Sequence, residues 1–267
     1  MMNKSDLTKQ LYLSCVENYF LAWLSKYYDV SNLYSVEFRS VVNILNDFTC
    51  DISYENYNMI KRLQDISEEY QITSHTLFTY NVDELYEYLE EVRSNDLILI
   101  RVNQKFINKY LRQSWRDDHY IVIDKNLRWI NQFPLSLGTF TYDELKEYYD
   151  NQVLTYKLNY IKFKPMDHIT SLIINQKFNL KGIPVKLNDL ESAIGVIRIT
   201  RKRLKEYYKD NTLAYAVLTE EVDLLDKLYL QIRRDILKGN FTKNFKDSID
   251  SIIFFEKKLC EVLKWID

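Results

Sequence analysis

Glycine and proline are scarce in this chain, with 4 Gly and 3 Pro among 267 residues. Loops that cradle phosphates need glycines in a fixed pattern, and neither G-x-G-x-x-G nor G-x-x-x-x-G-K-S/T occurs, so nucleotide-binding folds lose their main support. Cysteine is sparse too. Cys15, Cys50 and Cys260 are odd in number, widely spaced and form no C-x-x-C pair. That pattern suits neither a disulfide framework nor a structural zinc site, and it predicts a reduced, cytoplasmic setting. The formal net charge of −2 lacks the basic excess by which a protein tracks a nucleic-acid backbone. Residues 1–10 carry no signal-type apolar core, and no apolar run elsewhere is long enough for a bilayer, so no membrane association is expected.

What the chain has in quantity is aromatic residues, 22 Tyr and 13 Phe, and enough length for one large domain or two modest ones. Val16, Tyr19, Phe20, Trp23, Leu24 and Tyr27 recur at helical spacing. Ser14 and Glu17 form an S-x-x-E capping box, which starts that helix at Cys15. A thiol in the first turn sits at the positive end of the helix dipole, beside unpaired N–H groups. Both favour the thiolate, and the N–H groups can hold an oxyanion on an attacked acyl carbon. The plainer reading of Cys15 is a small hydrophobe at a helix start.

Further along, 36–47 reads as a second helix, and 51–80 is ambiguous, with a helix around 58–69 and a surface His75. Asn81 caps a helix running to Val92, and 97–102 is an apolar run of the kind buried on both sheet faces. A polar–aromatic connection, 103–115, leads to two strands, 120–123 and 127–133, joined by a tight turn at 124–126. His119 opens the first strand and Asn131 lies near the end of the second. A hairpin brings those positions side by side, so Asn131 can hydrogen-bond the His119 ring and fix its tautomer. Asp124 sits at the wrong end, in the turn, and Asp118 points to the opposite face. A distant cysteine and histidine with an orienting amide are the parts of a nucleophile–base–orienter set.

Thr141 and Glu144 box the start of another helix, 155–163 alternates like a strand, and His168 reads as a solvated loop residue. From Lys186 the pattern is helical only, in three helices, with Gly239 closing the second. The basic run 198–205 (Arg198, Arg201, Lys202, Arg203, Lys205) reads as a solvated helix face, with docking of an acidic carrier protein as the alternative. Cys50 and Cys260 read as core residues.

The order and spacing of these features resemble the butirosin biosynthesis protein H family. That family has a papain-like N-terminal domain, related to bacteriocin-processing cysteine peptidases, and a helical C-terminal region. The resemblance covers roughly 8–165. It rests on the Cys that opens an aromatic helix (Leu13-Ser14-Cys15-Val16-Glu17-Asn18), the D-E-L helix leading to a strand ending Arg101-Val102, and His119-Tyr120-Ile121-Val122-Ile123 followed by a hairpin ending near Pro134. There are departures. Asn103 stands where the family usually has Asp, glycines around the histidine strand are missing, and Asn131 lies three residues before Pro134 where peptidase relatives have Asp before Pro. Gln10 is five residues before the cysteine, whereas the relatives' oxyanion Gln is six before. The resemblance implies an α+β, papain-like fold, with an N-terminal helix on an antiparallel sheet and an all-α C-terminal region. The expected boundaries are 1–165 for the catalytic domain, 166–185 for a connection and 186–267 for the helical domain. It also implies acyl transfer: Cys15 as nucleophile, His119 as base and acid, Asn131 as orienter, Gln10 as the oxyanion donor. The acyl donor would be the phosphopantetheine thioester of a carrier protein and the acceptor an amine, with no bound cofactor or metal. A cysteine peptidase, amidase or thioesterase using the same residues, and a non-catalytic binding protein on that fold, are the alternatives. The oligomeric state stays open, a homodimer included.

Overall fold

The computed structural model of the chain describes residues 7, 11–34, 40–50, 57, 60, 72–112, 119–158, 186–240 and 245–264. Gln10, His168 and the expected connection 166–185 lie outside them. The fold is α+β, with a six-stranded antiparallel sheet and a C-terminal all-α region. Two compact units divide the chain: Met1–Tyr28 with Leu63–Phe163, and Asp29–Arg62 with Lys164–Asp267. The boundaries expected from the sequence miss one exchange: 29–62 falls with the helical unit, not with the sheet.

The first unit holds helix α1 (Cys15–Leu24) and six strands. In chain order these are β1 (Ile72–Phe78), β2 (Leu97–Val102), β3 (His119–Ile123), β4 (Arg128–Asn131), β5 (Ser136–Thr139) and β6 (Tyr149–Leu158). They lie side by side as β1-β6-β2-β3-β4-β5, all antiparallel. Strand β2 is central, and its two faces explain its unbroken apolar sequence. Ile98, Ile100 and Val102 join Ile121 and Ile123 of β3 in one core, closed by Leu85 and Leu89 of α3 (Val82–Glu91) and by Leu145 and Tyr148 of α4 (Tyr142–Tyr148). Alternation turns Leu97 to the other face, beside its register partner Tyr156. There α1 packs: the Phe20 ring meets Tyr156 edge-on at 5.3 Å, and Trp23 Nε1 donates to the Asn95 carbonyl at 2.7 Å.

Strands β1 and β5 are the sheet edges, and neither was read from the sequence. Strand β1 exposes every residue after Ile72, so it shows no apolar alternation, and His75 sits on it. Strand β6 begins at Tyr149, earlier than expected, directly after α4. In β5, a Cβ added to Gly138 would lie 2.7 Å from Cζ2 of the buried Trp129 ring. Trp129 is fixed in turn by Phe106, 5.1 Å away and edge-on, so the ring cannot retreat cheaply. Gly138→Ala should therefore destabilise the sheet unit by about 1–3 kcal/mol, read as a lowered urea midpoint, the cost of overpacking a filled core.

The second unit is built on three long helices, α5 (Leu187–Tyr207), α6 (Thr212–Leu237) and α7 (Lys246–Lys264), joined by α2 (Val41–Thr49). Gly239 ends α6 as expected. At φ 66° it takes the left-handed position, with its N–H on Ile236 O at 3.0 Å and Asn240 N–H on Asp235 O at 2.9 Å. Cys260 is buried, but Cys50 is exposed at the C-cap of α2, so it is not core.

The basic run is a solvated face only in part. Arg201 and Arg203 are fully buried. Arg201 Nε donates to Glu221 Oε1 at 3.1 Å and Nη2 to Glu256 Oε1 at 2.7 Å. The Glu256 carboxylate also accepts the Val41 N–H, at 3.0 and 3.1 Å, which ties α2 to the bundle. Arg198 and Lys202 share Asp226 Oδ1, and Lys205 lies 4.8 Å above the Tyr215 ring. Arg201 and Arg203 are thus committed inside the helical unit, while Arg198, Lys202 and Lys205 stay partly exposed. Among the described residues, no helix is long and apolar enough to cross a membrane.

Candidate active site

Ser14 caps α1, its hydroxyl accepting the Glu17 N–H at 3.2 Å, so the helix starts at Cys15 as the sequence predicts. Glu17 itself is fully buried, and its carboxylate accepts the N–H of Leu13. Cys15 thus stands in the first turn, half-buried.

The hairpin carries the second part. Asp124 N donates to Arg128 O at 3.0 Å, and Val122 pairs with Ile130. With a two-residue period, Tyr120 and Gln132 would form the next hydrogen-bonded pair of this ladder. They do not appear in it; the β3–β4 register runs only over Val122 and Ile123. The N–H of Gln132 donates instead to the Tyr19 hydroxyl of α1 at 3.0 Å. The N–H of Tyr120 is near enough to the Cys15 thiol to oppose the rise in its pKa, so the thiol lies beside the residue that follows His119.

His119 and Asn131 are both buried, and His119 Nε2 lies 2.7 Å from Asn131 Oδ1. Asn131 Nδ2 donates to the Pro134 carbonyl at 2.8 Å, which fixes the amide with its oxygen toward the ring. Nε2 must therefore carry the proton, and the lone pair falls on Nδ1. The Tyr19 hydroxyl adds a donor to the same Oδ1 at 3.3 Å.

The electrostatics differ from the sequence expectation in sign. Burial pushes the Cys15 thiol above its ordinary range, although the N–H groups of Tyr120, Val16 and Cys15 itself oppose this. Burial likewise holds His119 below its ordinary value of 6.5, against the Asn131 hydrogen bond. Desolvation outweighs the helix start, so the resting pair is a neutral thiol and a neutral imidazole, not a thiolate–imidazolium pair.

The structure thus pairs His119 with Asn131, and it sets Cys15 beside Tyr120, the residue that follows His119. Asn18, Tyr19 and Gln132 share a set of hydrogen bonds with Asn131, and none of the three stands out in the sequence as a site residue. The available signal was spacing: Asn18 and Tyr19 follow Cys15 by three and four residues and share its helix face. A cavity of about 170 Å3, lined among others by Trp23, Tyr27, Asp96, Ile123 and Arg128, lies at the opposite end of β3 from His119 and contains none of these groups. Among the described residues, no group of three or more His, Cys, Asp or Glu side chains is arranged to hold a metal. Compared with known proteins, the chain matches no family model, no curated protein and no solved structure.

Proposed function

We propose that this chain is a cysteine acyltransferase on a papain-like fold, with Cys15 as nucleophile, His119 as general base and acid and Asn131 as the residue that orients the ring. The observation that carries the reading is the His119 Nε2–Asn131 Oδ1 hydrogen bond at 2.7 Å, tied to the first turns of α1 by the Tyr19 hydroxyl, which donates to Asn131 Oδ1 and accepts the Gln132 N–H.

Because the resting thiol is neutral, the proton leaves as the sulfur attacks. His119 Nδ1 accepts it, the sulfur bonds to the carbonyl carbon of a thioester, and the carbon–sulfur bond to the leaving thiol breaks. The imidazolium returns its proton to that leaving thiolate. An amine then attacks the acyl-Cys15 carbonyl, His119 takes the amine's proton, and the collapse gives an amide and the free Cys15 thiol. The first exchange trades one thioester for another and is nearly isoenergetic, so amine attack commits the reaction. The donor suited to this chemistry is a phosphopantetheine thioester on a carrier protein. Phe133, Leu135 and Leu137, exposed at alternate positions just beyond Asn131, offer an apolar strip for an acyl chain.

Incubating the protein with an acyl-carrier thioester should leave an acyl group on Cys15, seen by mass spectrometry and absent in Cys15→Ala. Folded protein that no thioester ever labels would remove the proposal. Loss of the thioester without any amine present would assign the chain to hydrolysis, with water as acceptor.

A further inference from the structure

A tetrahedral intermediate on Cys15 needs donors for its oxygen, and the Asn18–Gln132 amide pair supplies an observation that the catalytic set leaves unused. Asn18 is buried. Its Nδ2 donates to two oxygens, Leu7 O at 3.1 Å and Gln132 Oε1 at 2.6 Å. Its Oδ1 is buried with no hydrogen-bond partner among the described residues. Leaving a buried acceptor unsatisfied is costly. The amide nevertheless keeps this orientation, because turning it would set Oδ1 against two other acceptors.

Fixing Asn18 fixes Gln132. Its Oε1 faces Asn18, so its Nε2 group faces away. Gln132 is only half-buried, and its Nε2 donates to no described residue. The backbone of Gln132 is pinned by the Tyr19 hydroxyl, and its neighbour Asn131 by the Pro134 carbonyl. The result is a pair of N–H donors on a rigid frame. Asn18, which holds the frame, lies one turn along the helix face from Cys15. Gln132 also occupies the hairpin position opposite Tyr120, the residue that follows His119.

The geometry points to Gln132 as a catalytic residue: its Nε2 group, with the first-turn N–H of Cys15, donates to the oxygen of the tetrahedral intermediate formed on Cys15. This rests on the acyl-transfer reading. As the sulfur–carbon bond forms, the carbonyl π pair moves onto oxygen. The two donors hold that charge until the pair returns and the leaving thiolate departs. Gln132 transfers no proton.

The test compares two reactions of one thiol. Alkylation by iodoacetamide displaces iodide at a saturated carbon and builds no oxyanion. Acylation by the acetyl thioester of N-acetylcysteamine builds one. Gln132→Glu keeps the oxygen that Asn18 holds and replaces the Nε2 donors by an acceptor; Gln132→Ala removes the donors without adding charge. In both, acylation relative to alkylation should fall by about 10²–10³-fold, the usual effect of losing one oxyanion donor. Equal slowing of both reactions would make Gln132 a packing residue and overturn the inference, as would unchanged acylation. Wild-type protein that is alkylated yet never acylated would instead remove the acyl-transfer reading, and this role with it.

Discussion

His119→Ala should slow acylation of Cys15 by about 10²–10⁴-fold, the contribution of a positioned general base, while leaving the fold intact enough for alkylation. The pH dependence separates this role from a packing effect. Neutral His119 accepts the thiol proton and protonated His119 cannot. The wild-type acylation rate should therefore fall as the pH drops through a value below 6.5, since burial lowers the ring's affinity for a proton. Burial raises the Cys15 value, so alkylation, which needs the thiolate, should climb only at pH above the ordinary thiol range. The two profiles should thus be offset, with acylation active at lower pH than alkylation. His119→Ala should erase the acid limb of acylation, leaving a rate that tracks the thiolate alone. Coincident profiles in the wild type would mean that the imidazole takes no part. Stopped-flow release of the leaving thiol across the pH range measures both.

Arg201→Met should destabilise the helical unit by about 3–5 kcal/mol, because it strands Glu221 and Glu256 without their cation inside the bundle. The site residues of the other unit should still react, so the loss will show in urea unfolding followed by circular dichroism. One guanidinium serves two carboxylates here, and desolvation pushes the Glu221 carboxyl up to about 7. Its Oε2 has no hydrogen-bond partner among the described residues, so ionisation finds little solvation. A folded value above the unfolded one means that the contribution of Glu221 is fully present below about pH 4.5 and is lost as the pH rises through about 7. Glu221→Gln should flatten that slope and recover stability at pH 8. The double change Arg201→Met with Glu221→Met should be milder than Arg201→Met alone, since it leaves one stranded carboxylate instead of two. An Arg201→Met bundle as stable as wild type would show that the cluster is not held by its charges.

Local rules were legible in the sequence wherever neighbours alone decide the structure. Ser14 caps the helix through the N–H three residues on, so the placement of Cys15 in the first turn needs no tertiary information. Hairpin register is nearly as local, and it set His119 beside Asn131. The run Leu97–Val102 announced a strand covered on both faces. The Gly239 stop of α6 is likewise a matter of one residue's freedom at positive φ.

Only the tertiary structure decided the rest, because each remaining feature depends on which distant surface covers a residue. A run of Arg and Lys reads as solvated until the bundle closes over Arg201 and Arg203. Edge strands β1 and β5 show little apolar pattern because little of them is covered. The helix start argues for a thiolate at Cys15, yet burial against β3 outweighs it and reverses the sign. The end of the β3–β4 ladder is the clearest case. Nothing in a hairpin's own sequence says that its ladder stops one pair early, since that is set by a helix from a hundred residues upstream.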